Sequence, residues 1–214
     1  MALDREAVAR ASLSLLDEVG LDGLSLRNIA ADLGVQAPAI YWHVKNKQEL
    51  LDLMAEMILA DHLGGLQALG PDDSWADWVT NLARSIRTAM LRSRDGARVV
   101  SSSYGTGATA LRVVDALLHA LREAGFPLPD AARGADAVLN YVLGFTLNEQ
   151  LATPQPITGG GSDPEQLREL FAAEQHPSLS RALWLFADPD TDARFDHGLR
   201  LLLTGMRLAR MTQA

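Results

Sequence analysis

The sequence predicts an all-α protein whose first helices form a helix-turn-helix. Three observations carry that expectation. Apolar residues recur at three- and four-residue spacings through most of the 214 residues, and no run alternates convincingly as a half-buried strand would. The stretch GVQAPAIYWHVKNKQEL, residues 34–50, sets Tyr41, Trp42 and His43 side by side. Successive helix positions turn by about 100°, so three neighbours cannot all face one core and at least one ring must point outward. Lastly, the chain has two lysines, Lys45 and Lys47, both in that stretch, while every other basic residue is an arginine.

Asp4 caps the first helix, whose stripe is Val8, Ala11, Leu15 and Val19; Leu3 and Val8 can close a hydrophobic staple over the cap, and Gly20 ends the helix. Ser25 opens a second helix that runs through Asn28, Ile29 and Ala30 to Leu33 and stops at Gly34. A short third helix covers residues 37–43, with Pro38 in its first turn, where a missing N–H does no harm. Asn46 with Glu49 three positions on is a capping-box-like start for a long helix to about His62, after which Gly64, Gly65, Gly70 and Pro71 break the pattern. Later helices are expected over residues 74–92, 108–124, 127–151, 164–174 and 192–210. TPQPITGGGSDPE, residues 153–165, reads as a surface loop.

Composition bounds the function. With 48% apolar residues the chain can bury a core, and a formal charge of −8 argues against a surface coated for polyanions or for an anionic membrane. Any nucleic-acid site must be local. The absence of cysteine excludes disulfides, thiolate metal sites and thiol nucleophiles. MALDREAVAR has no apolar signal-peptide core, and no apolar run approaches the roughly 18 residues of a spanning helix, so a cytoplasmic protein with no membrane partner is expected.

The helix-turn-helix can be placed position by position. Ala30 is small where two helices cross, Gly34 makes the turn, and Ile29, Leu33, Val35 and Ile40 supply a small core. If Ile40 faces that core, Val44 does too, and Trp42 points nearly opposite, with Tyr41 and His43 flanking the outward side. Seven residues of helix span about 10 Å, short enough to seat end-on in a DNA major groove roughly 12 Å wide. Lys45 and Lys47 then fall where a phosphate rim would lie, beside the positive N-terminus of the next helix. Rings can stack on sugar and thymine methyls, and Tyr41 and His43 can also bond phosphate.

The stretches DREAVARASLSLLDEVGLDGLSLRNIAADLGV, YWHVKNKQELLD and SRDGAR resemble the TetR family, in its tetracycline-repressor branch, and LREAGF, GFTLNEQ and FDHGLRLLLTG resemble it more loosely. The resemblance implies an all-helical homodimeric repressor, not an enzyme, that binds double-stranded operator DNA and answers to a small-molecule effector. Residues 1–45 would be the DNA-binding domain, and residues 46–214 the regulatory, ligand-binding and dimerisation domain with a four-helix-bundle dimer interface. It places operator contacts at Arg27, Gln36, Ala37, Pro38, Ala39, Tyr41, Trp42, His43 and Lys47. Trp42 could instead pack against the first helix. Ala37 and Ala39 stand where the branch has a glutamine and a threonine, so bidentate adenine readout is lost there and a different operator is expected.

The branch's drug pocket holds a magnesium–tetracycline chelate, and here the resemblance fails. Aligned through SRDGAR and GFTLNEQ, the metal-ligating histidine falls at Val100 and its acidic helper at Asn148. The drug's polar contacts fall at Leu63 and Leu82, with Ile86 at the neighbouring aromatic; a one-residue slip would bring in His62 but would not rescue all of these positions. A pocket lined by Leu63, Leu82, Ile86, Val100, Leu117 and Phe145, with Tyr104, Asn140 and Asn148 as polar contacts, wants an apolar ligand with no metal and no cofactor. The alternative reading is that these residues fill the core. His119, His176 and His197 are too far apart for a local metal motif.

Two alternatives compete. GTGATA, residues 105–110, matches G-x-G-x-x-A after the strand-like ARVVSSSY and before a helix, which is the dinucleotide-binding fingerprint of an oxidoreductase; it lacks a second strand and an acidic residue to hold ribose. The other is a helical partner-binding protein with no effector. A candidate dimer seam runs along Ala135, Val138, Leu139, Val142 and Thr146, and along Phe195, Leu199, Leu202 and Met206, unless those stripes are intrachain core.

Overall fold

The computed structural model describes residues 3–103, 105–152, 176–186 and 190–211. The order is α1 (Arg5–Gly23), α2 (Leu26–Asp32), α3 (Ala37–Tyr41), α4 (Lys47–Leu63), α5 (Trp75–Leu91), α6 (Gly96–Ser102), α7 (Ala108–Glu123), α8 (Leu128–Ala152), α9 (Pro177–Phe186) and α10 (Thr191–Met211). Among the described residues there is no strand, as the all-α expectation requires. The expected loop at residues 153–165 and helix at 164–174 lie outside the described residues.

Local chemistry sets most boundaries. The Asp4 carboxylate accepts from Ala7 N–H at 2.7 Å, Ser25 accepts from Asn28 N–H and Ser74 from Asp77 N–H, each satisfying an orphan donor of a first turn. Gly20 kinks α1 at φ 71° instead of ending it, and the helical turn resumes to Gly23. Leu21, beyond the kink, is buried, and its N–H is held by Asp95; that tertiary contact keeps the extra turn in place.

One expectation about residues 97–104 is overturned. ARVVSSS, residues 97–103, is not a strand: residues 96–102 are helix α6, packed against α4 and α8. The β preference of Val99 and Val100 yields to tertiary capping, because Ala97 N–H donates to Gln150 Oε1 at 2.8 Å and Gly96 lets the backbone lie against the Met90 carbonyl. With no strand before GTGATA, the dinucleotide unit does not exist. Helix α9 was not anticipated.

Two apolar clusters organise the chain. Val8, Leu16, Ile29, Ile40, Val44, Leu50 and Met54 pack under α1–α4, joined by Ala89 and Val99. Leu59 and Leu63, in the last turns of α4, belong instead to a larger cluster with α5, α7, α8 and α10. Helix α4 therefore belongs to both. The candidate dimer seam is corrected here: Ala135, Val138, Val142, Thr146, Phe195 and Leu199 are buried within one chain, and Leu139, Leu202 and Met206 are half-buried against the same core.

Candidate DNA-reading face and ligand cavity

The turn between α2 and α3 is a paired-bond helix stop. Val35 N–H reaches the Ala30 carbonyl and Gly34 N–H the Ala31 carbonyl, with Gly34 at φ 66°, a left-handed conformation that costs a side-chain-bearing residue more than glycine. That geometry aims α3. Its helix is five residues, 37–41, rather than the seven expected, because Trp42 already acts as its C-cap; it spans about 7.5 Å. Ile40 and Val44 are fully buried, whereas Trp42 is 87% and Tyr41 54% exposed. Trp42 therefore does not pack against α1.

None of Arg27, Gln36, Ala37, Pro38, Ala39, Tyr41, Trp42, His43 and Lys47 is buried; Ala37, Ala39 and His43 are half-exposed and the others exposed. The start of α4 differs from a reciprocal capping box by one residue. Asn46 accepts from Glu49 N–H at 2.9 Å, but the Glu49 carboxylate accepts from Lys45 N–H at 2.8 Å and pairs with Arg5 at 2.7 Å. The Lys45 bond, then Arg5, hold that carboxyl below its usual range. Lys47 extends back toward the Leu21 carbonyl at 3.5 Å.

This face is docked to the rest of the chain at the corner between α5 and α6. Arg94 donates to the Asp17 and Glu18 carbonyls, Asp95 accepts from Leu21 N–H, and Arg98 pairs with Asp22. Gln150 of α8 closes the other side by donating to the Met90 and Ser93 carbonyls.

A cavity of about 240 Å³ lies between α4, α5, α6, α7 and α8. Leu63, Ile86 and Val100 line it as expected. Leu82 and Leu117 do not: both are buried in the core. Phe145 packs against Tyr141 and Phe195 under the Arg87 guanidinium instead. Asn140 and Asn148 sit on the exposed side of α8, where Asn140 bonds the Asp136 carbonyl, so neither supplies a polar wall to the cavity. Tyr104 lies outside the described residues. The wall is completed by Leu59, Ala110, Val113, Val114, Leu139 and Leu143, with Ser101 and Ser103 at one edge. Leu59, one turn before Leu63, was within reach of helical spacing; Ala110, Val113 and Val114 of α7, which take the place expected for Leu117, were not, because nothing local says which face of that helix crosses α4. His62 is half-buried and does not line the cavity, and among the described residues no carboxylate or imidazole does.

The family model described as bacterial regulatory proteins, tetR family, matches residues 9–54, and that described as tetracyclin repressor-like, C-terminal domain, matches residues 68–210. The chain belongs to the TetR family. The tetracycline repressor protein class A from transposon 1721 of Escherichia coli is 37% identical over 210 residues, which are 98% of this chain and 93% of the repressor. A crystal structure of a possible TetR family transcriptional regulator from Streptomyces coelicolor A3(2) is similar at 43% identity and a TM-score of 0.84, covering 96% of this chain and all of that one. The TetR-family fold also appears in BioQ bound to its natural double-stranded DNA operator, at 30% identity and a TM-score of 0.68, over 96% of this chain and 98% of that one.

No helix among the described residues is long and apolar enough to cross a membrane.

Proposed function

We propose that this TetR-family chain is a cytoplasmic, ligand-responsive transcriptional repressor that binds a palindromic operator as a homodimer and is released by a small, mostly apolar effector. The observation that carries the DNA half is the contrast along α3: Ile40 and Val44 are sealed into the core while Trp42, Tyr41 and the two lysines are left outside on an acidic protein. Burial of large rings is worth about 1.5–3 kcal/mol, so leaving them in water needs another use for them. Residues 1–45 would form the reading domain and residues 46–214 the regulatory one, with α4 shared between their cores. The similarity to BioQ in its operator complex supports the same use of this fold.

The dimer would form through the exposed face of α8 and α10. Leu201, Leu208 and Met211 follow one another on α10 with Thr204 between them, at the three- and four-residue spacing of a helix–helix seam. Leu128 and Leu151 are exposed on α8. Two such pairs make a four-helix bundle about a twofold axis.

The effector would bind without metal. The relative from Escherichia coli is named for tetracycline, but the Val100 side chain has no lone pair for a cation, and Leu63, which lines the cavity, would leave the drug's polar groups beside it unpartnered at roughly 1–3 kcal/mol each. Footprinting on the upstream region should protect two half-sites roughly 34–36 Å apart. Release of that complex is then measured with tetracycline plus magnesium beside a panel of hydrophobic metabolites in EDTA. The metabolites should release it; magnesium-dependent release at micromolar tetracycline would overturn the effector assignment.

A further inference from the structure

Gly107, the second glycine of GTGATA, needs no special backbone, since its φ is −65°. What matters is its missing side chain: a Cβ there would collide with the Glu56 carboxylate. Glu56, on α4, uses that space to close the N-terminus of α7, which has no side-chain cap of its own. Its two oxygens accept from Thr109 N–H at 3.0 Å, and one accepts from the Thr109 hydroxyl at 2.7 Å. Arg112 of α7 returns the contact, donating to the Leu63 and Gly64 carbonyls at 3.2 Å, at the C-terminus of α4. Each charge has the sign that its helix end favours. Leu59, Leu63, Ala110 and Val113, which line the cavity, come from these same two helices.

We propose that Glu56 and Arg112 form a two-point clasp that sets the gap between α4 and α7, so that filling the cavity and holding α4 in its operator-binding position oppose each other. The inference rests on the effector-released repressor proposed above. A ligand wider than the resting gap must part the two helices, and the clasp resists. Because Leu50 and Met54 anchor α4 in the core of the first three helices, a displaced α4 carries the DNA-reading face with it. Loosening the clasp therefore weakens operator binding and strengthens ligand binding by linked amounts.

The full-length protein is compared with Glu56→Gln, Gly107→Ala, which evicts the carboxylate without altering it, and Arg112→Gln. Operator affinity is read by fluorescence anisotropy, and cavity occupancy by uptake of the neutral apolar fluorophore N-phenyl-1-naphthylamine. Each variant should raise the operator Kd about fivefold or more, the lower end of usual coupling between sites, while binding the fluorophore more tightly than wild type. General loosening of the fold would weaken both, so the opposite signs distinguish the clasp from a packing defect. Operator affinity within about twofold of wild type in both Glu56→Gln and Gly107→Ala, parallel loss of both ligands, or no fluorophore uptake by any of the proteins overturns the clasp and leaves the repressor assignment standing. A wild-type protein that binds no operator removes that assignment, and the clasp with it.

Discussion

Neighbouring positions on α3 have opposite jobs. Ile40 is fully buried against α1, α2 and α4, so Ile40→Ala should cost about 3 kcal/mol through lost contacts and the cavity left behind. Trp42, two residues on and almost wholly in water, should change stability by less than about 0.5 kcal/mol on truncation, yet weaken operator binding. Thermal melting beside DNA titration separates the two; a large loss of stability in Trp42→Ala would place that ring in a core. Arg27 and Lys47 should differ in another way. If Arg27 meets a base edge, Arg27→Ala costs roughly 1–3 kcal/mol and relaxes preference at one base pair. Lys47→Ala should weaken all sequences alike and flatten the salt dependence. Titrations on matched and mutated operators at several salt concentrations would tell them apart, and identical behaviour would mean that α3 is wrongly oriented on the groove.

At the scale of elements, α5, α8 and α10 are joined by one buried guanidinium. Arg87 pairs with Glu149 and Asp192 at 2.6 Å each and lies 5.0 Å from the centre of the Phe195 ring. Burial alone would raise the Glu149 carboxyl, but Arg87 and Thr191 outweigh it and hold the carboxyl below its usual value. A carboxyl depressed in the folded state stabilises the protein at neutral pH, and that contribution fades as pH falls from the usual 4.5 through the lower folded value. The melting temperature should therefore drop in that acid window, and Glu149→Gln should flatten the drop; an unchanged slope would show that the pair contributes little. Arg87→Met strands the half-buried Glu149, and should cost about 3 kcal/mol, the lower end for a broken buried pair because Glu149 keeps some exposure and Asp192 is exposed. Chemical denaturation measures it.

For the whole molecule, the decisive question is which face meets the second copy. A charge at Leu201, 62% exposed in one chain, should leave the fold of that chain intact and convert dimer to monomer, with operator affinity falling because one short recognition helix reads too few bases. Light scattering of Leu201→Glu checks this. A dimer that survives the change would move the interface elsewhere.

Capping and periodicity act within a few residues, and those features were legible in the chain itself. Asp4, Ser25 and Asn46 start helices as N-caps by their side-chain oxygens, Gly34 turns the chain where only a left-handed residue fits easily, and the aromatic triplet with two lysines marks the face proposed to read DNA. The lack of a side-chain donor at Val100 was legible too, since an isopropyl group has no lone pair in any fold. Tertiary structure decided what depends on residues far apart. Gln150 turned a β-prone ARVVSSS into α6 from 53 residues away, and Asp95 kept α1 going past Gly20 from 74 residues away. It also decided which of two apolar stripes on α8 and α10 faces inward, because periodicity reports that a face is apolar but not what it will meet. GTGATA is the sharpest case: its glycine serves the approach of a carboxylate from another helix, and no local spacing could have named Glu56 as the partner.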